Sequence, residues 1–99
     1  MHKDQLEQIK STISVYLETK GIGINDVILF GSSKEKSIDD ANDIDIIILS
    51  ENFENKTIFE RSKMTRGLHR RLVEQFNKPF DIIYLTKSEL EEKELMFSL

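Results

Sequence analysis

Asp43 and Asp45 stand two residues apart in Asp43-Ile-Asp-Ile-Ile-Ile-Leu49, a stretch dominated by β-branched residues. In a strand, alternate side chains share a face, so the two carboxylates point the same way with Cα atoms about 6.5–7 Å apart. Carboxylates of that reach converge on cations about 3.5–4 Å apart, the separation found in two-metal phosphoryl-transfer sites. On a helix the same spacing would splay them. Asp81 opens a further apolar run and reaches the same spot if its strand lies beside that of Asp45. Three carboxylates with ordinary pKa values of about 3.9 repel one another at neutral pH, which calls for Mg²⁺ rather than an empty cluster. One aspartate beside a strand is ordinarily a solvated cap. The set of three points to metal chemistry.

Gly31-Ser32-Ser33 supplies a second element of that chemistry. It follows the apolar run Val27-Ile28-Leu29-Phe30 and is expected to open a short helix through Ser33 to Lys36. A strand-to-helix turn exposes backbone N–H groups to an anion. Glycine permits close approach of a phosphate, and the Ser32 hydroxyl can donate to a phosphate oxygen. It is not a Walker A loop, because no Gly-Lys-Ser/Thr follows at the required spacing. Lys34 and Lys36 read as solvated charges.

The elements that must position these residues are legible in the periodicity. Leu6, Ile9, Ile13, Tyr16 and Leu17 recur at helical spacing from Asp4 to about Lys20, with Asp4 and Glu7 as a capping box and Gly21 and Gly23 as the stop. Ile24 to Phe30 reads as a strand covered on both faces, and Asp43–Leu49 as a central one. Thr57 and Glu60 cap a helix running to about Phe76, with Leu68, Leu72 and Phe76 on its apolar side and Ile58 or Phe59 near its start. Asn77-Lys78-Pro79 ends it. Phe80–Leu85 is the third strand, and Thr86 with Glu89 caps a last short helix. The fold class is α/β (α+β): a small mixed sheet of three strands flanked by helices.

The 99 residues predict a single domain spanning 1–99. Hydrophobic residues at 38% and charged residues at 32% are a globular mixture. With no cysteine, disulfides, a thiolate zinc site and a cysteine nucleophile are excluded. The polar start and the lack of a long apolar run predict a cytoplasmic protein without membrane span or signal peptide. A net charge of −4 argues against nucleic-acid binding by overall attraction, leaving room for a local patch.

The combination Gly31-Ser32-x10-Asp43-x-Asp45, preceded by Val27-Ile28-Leu29-Phe30 and followed by Phe80-Asp81-Ile82-Ile83, resembles the DNA polymerase beta nucleotidyltransferase superfamily. In length the chain is similar to the minimal nucleotidyltransferase (MNT) group, and the resemblance spans nearly all of it. It departs from the usual pattern at Ser33, often Arg or Tyr, and at Lys36, often glycine. The resemblance implies a polymerase-beta-like core in which Gly31, Ser32 and Ser33 bind the triphosphate of ATP or another NTP. It implies that Asp43, Asp45 and Asp81 hold two Mg²⁺ ions, Asp81 also helping to deprotonate an attacking hydroxyl. It further implies transfer of AMP to an acceptor and a HEPN-family toxin as partner, with the MNT protein as antitoxin. So short a chain is expected to recognise its acceptor with help from another chain in an oligomer. Two alternatives stay open: a non-catalytic antitoxin that neutralises by occlusion, and RNA binding or modification.

The RNA alternative rests on residues 56–78, which carry seven basic and two acidic side chains and so leave −9 for the remainder. Lys63, Arg66 and Arg70 are expected on one helical face, either solvated or serving as a platform for triphosphate, acidic partner or RNA. His69 reads as a rim histidine. The apolar end Leu95-Met96-Phe97-Ser98-Leu99 is expected to pack across the sheet or to dock a partner.

Overall fold

Three β-branched or apolar runs form the sheet: β1 (Asp26–Phe30), β2 (Ile44–Leu49) and β3 (Phe80–Leu85). The computed structural model describes residues 1–98, in backbone alone at 32, 33 and 95–98. The expectation for the apolar C-terminal side chains therefore lies outside the described residues. Strand order is β1-β2-β3, with β1 antiparallel and β2 parallel to its next neighbour, so β2 is central as expected. The parallel β2–β3 pair requires a crossover, which residues 50–79 supply.

Alternation divides the sheet into two faces. Val27, Ile44, Ile46, Ile48 and Phe80 lie on one and are buried against Ile9, Ile13 and Leu17 of α1 (Lys3–Glu18) and Leu68 and Leu72 of α3 (Leu68–Phe76). On the other, Ile28, Phe30 and Ile47 are only half-buried and Ile83 is exposed. The cover expected on both faces of β1 is thus made on one, because α1 and α3 pack together on the same side. Helix α1 begins at Lys3 with His2 as its cap and no side-chain capping bond. The expected Asp4–Glu7 box fails for that reason: Asp4 falls inside the first turn, where its negative charge suits the helix dipole.

The crossover departs most from expectation. Thr57 and Glu60 form the predicted capping box of α2 (Ile58–Met64), but the helix stops there instead of running to Phe76. Gly67 lies at φ +92°, and a Cβ on it would collide with the Tyr16 hydroxyl, which donates to the Arg66 carbonyl at 2.9 Å. The chain restarts as α3 after this break and ends in left-handed Asn77, before Pro79. Arg66 therefore lies between helices and shares no helical face with Lys63 or Arg70. Neither Ile58 nor Phe59, one of which is expected on the apolar side, is buried: they are 79% and 80% exposed, and α2 turns Arg61 inward instead.

Arg61 ties α2 to β3 and to α4 (Lys87–Ser98). Its guanidinium donates to the carbonyls of Lys56 (3.1 Å) and Tyr84 (2.8 Å) and forks onto Glu89 at 2.8 and 3.2 Å. Glu89 also completes the expected capping box with Thr86. Among the described residues no helix is long and apolar enough to cross a membrane.

Candidate metal and nucleotide site

The strand register decides where the carboxylates meet. Phe30 pairs with Asp45 across β1–β2, and Asp45 pairs with Asp81 across β2–β3. Asp45 and Asp81 therefore stand side by side on the half-open face of the sheet, and Asp43, one residue before β2, joins them. Each of the three offers an oxygen within 4.8 Å of the other two. The structure brings together all three aspartates singled out from the sequence.

Electrostatics at the site follow from this crowding. Asp45 has its pKa raised above the usual carboxylate value, first by burial, then by a side-chain hydrogen bond with Asp81 and by the charges of Asp43 and Asp81. A divalent cation would relieve that repulsion. Three carboxylates form an all-oxygen donor set, which suits Mg²⁺ or Mn²⁺ rather than a thiophilic metal. The donors and their mutual spacing fit such an ion.

Gly31 begins a 3-10 turn, Gly31–Lys34, directly after β1. It lies at φ +65°, and a Cβ there would fall 2.6 Å from Asp45 Oδ2. Glycine is thus required twice, by the backbone angle and by the carboxylate against it. The expected helix through Lys36 is shorter than predicted. The Ser32 and Ser33 hydroxyl contacts lie outside the described residues, though their backbone forms the turn beside Asp45. Lys34 and Lys36 are exposed, in line with the solvated reading.

His69 is at the rim, as expected, with Nε2 2.8 Å from the Phe80 carbonyl. The residue before Asp81 is thereby tied to α3. Sequence reasoning missed this bond and the burial of Arg61, because both depend on partners distant in the chain.

A carboxylate triad on a strand pair, beside a glycine-led turn, is the layout that the sequence resemblance implies for a nucleotidyl-transfer centre. The family model for polymerase beta nucleotidyltransferases matches residues 7–97, and the chain belongs to that family. Nucleotidyl transfer is the chemistry of the family. No curated protein sequence matches the chain. Among solved structures, the chain is similar to the BolA domain of SufE1 from Arabidopsis thaliana. That match has 14% identity and a TM-score of 0.53, covering 90% of this chain and 98% of that one. BolA1 from Arabidopsis thaliana matches at 19% identity and a TM-score of 0.48, covering 77% of this chain and 93% of that one. At 14% identity the first of these likenesses concerns the arrangement of helices and strands alone.

Proposed function

We propose that residues 1–99 act as one minimal nucleotidyltransferase unit that transfers AMP from ATP to a hydroxyl on a partner protein. The observation that supports this reading is the meeting of Asp43, Asp45 and Asp81 within 4.8 Å, at the sheet end where Gly31 turns the chain. Asp43 and Asp45 would hold both cations and Asp81 would complete one of the sites. Magnesium bound there supplies charge neutralisation to the attacking and leaving oxygens of an in-line displacement. The Gly31–Lys34 turn offers backbone N–H groups to the triphosphate. Asp81 receives the proton of the acceptor hydroxyl. The hydroxyl oxygen bonds to the α-phosphorus as its bond to the β-phosphate bridging oxygen breaks, and pyrophosphate leaves with the electron pair.

The resemblance to MNT antitoxins makes a HEPN-like toxin the first partner to try. The test is incubation of the chain with labelled ATP, Mg²⁺ and that partner, followed by intact-mass measurement. Addition of one AMP to the partner, lost with Asp45→Asn, is the expected result. A stable complex with no added mass under saturating ATP would replace catalysis by occlusion.

A further inference from the structure

We infer that the cleft between the start of β3 and the α2–α3 junction is the acceptor site, and that it takes a hydroxyl side chain flanked by acidic residues. This rests on the transferase reading above. The carboxylates form the middle of a row: the Gly31 turn lies on the β1 side, then Asp45, then Asp81 on the β3 side. An in-line displacement needs nucleophile and leaving group on opposite sides of the phosphorus. With pyrophosphate departing toward the turn, the acceptor must enter from the β3 side. A cavity of about 440 Å³ opens there, and Asp81 is part of its wall, with Ser62, Arg66, His69, Ile82 and Tyr84.

The chemistry of that wall differs from the rest of the site. On the wall that Asp81 shares stands the exposed Arg66, whose guanidinium an acidic neighbour of the hydroxyl can use. Arg70, by contrast, is already engaged with Glu74 at 3.2 Å. The backbone that carries Arg66 is held by the Tyr16 hydroxyl at 2.9 Å. His69 Nε2 must carry its proton, since the Phe80 carbonyl only accepts, which makes Nδ1 the acceptor of the neutral ring. The carbonyls of Phe80 and Tyr84 on β3 are bonded by His69 and Arg61. A peptide therefore cannot add to this edge as a strand without displacing both. It enters by a side chain.

The experiment uses the full chain with Mg²⁺, ATP and two acetylated peptides, each with one serine, flanked by glutamates in one and by lysines in the other. Magnesium and ATP binding are first measured by calorimetry. The glutamate peptide should shift the backbone amides of Arg66, Gly67, Asp81 and Ile82, and should accept AMP roughly tenfold faster than the lysine peptide, as one charge-assisted hydrogen bond permits. Arg66→Ala should bring that ratio close to one, and Arg66→Lys should restore much of it. If Mg²⁺ and ATP bind but the peptide shifts those four amides no more than others, or only Gly31–Lys34, the acceptor assignment falls and the transferase reading survives. Preferential labelling of ribose 5-phosphate or of an oligoribonucleotide would also overturn it. Failure of Mg²⁺ and ATP to bind removes the transferase reading itself, and this assignment with it.

Discussion

Gly31 and Asp45 are in such close contact that a Cβ on residue 31 would lie 2.6 Å from Asp45 Oδ2 and the carboxylate would have to shift. The anion-binding turn and the central carboxylate are therefore one mechanical unit. Gly31→Ala should cost about 1–2 kcal/mol from its left-handed backbone alone and should push Asp45 from its place. The expected outcome is a folded protein by circular dichroism whose Mg²⁺ affinity falls in calorimetry. Unaltered Mg²⁺ affinity would show that the contact does not constrain the carboxylate.

Asp45→Asn separates chemistry from stability. Its folded pKa is raised above the unfolded 3.8, so the metal-free fold loses stability as pH rises from below 3.8 through the folded value. Asparagine removes that penalty, and thermal melts without metal should show the variant above the wild type at neutral pH. Mg²⁺ should raise the wild-type Tm and leave the variant little changed. Transfer should drop by at least about 10²-fold, in keeping with loss of a group acting on developing charge.

Arg61 and Glu89 give the acid limb of the stability profile. The hydrogen bonds from Arg61, and then those from Thr86, hold the Glu89 carboxyl below its usual 4.5 against the opposing effect of burial. A depressed carboxylate pKa contributes stability above 4.5 that is lost as pH falls through the folded value. Glu89→Gln should therefore flatten urea-melt stability in that acidic window. Arg61→Ala leaves the half-exposed Glu89 carboxylate and the Lys56 and Tyr84 carbonyls without their donor, and should cost about 1–3 kcal/mol.

The break at Gly67 has its own test. Gly67→Ala should destabilise by about 1–2 kcal/mol for its left-handed backbone, with more added by collision with the Tyr16 hydroxyl. In a Tyr16→Phe background the collision is relieved. A double-mutant cycle should then give a coupling of about 0.5 kcal/mol or more. Strict additivity would mean that Tyr16 does not set the break.

Much of this was readable in the residues themselves. β3 runs over Phe80–Leu85 as expected, because a β-branched run bounded by Pro79 and Thr86 leaves little freedom. The pairing of aspartates at 43 and 45 needed only the alternation of a strand. What placed Asp81 beside them was strand order and register, which no local pattern encodes; the family resemblance supplied it. The continuous helix over 57–76 failed because a glycine inside a helical pattern costs only about 1 kcal/mol and so reads as tolerable, while Tyr16, whose hydroxyl bonds the Arg66 carbonyl at the break, lies far upstream. Arg61 read as one more surface charge because its partners come from Lys56, Tyr84 and Glu89.

The isoleucine ladder of β2 has a consequence for how the site is assembled. Ile44, Ile46 and Ile48 are fully buried, and the carboxylate of Asp45 stands on the opposite side of the same strand. Sliding that strand by one residue would drive Asp45 into the apolar interior and eject the isoleucines. Oil thus proofreads acid: a chain that would scatter its ligands is rejected at the folding stage, before it could circulate as an inert look-alike.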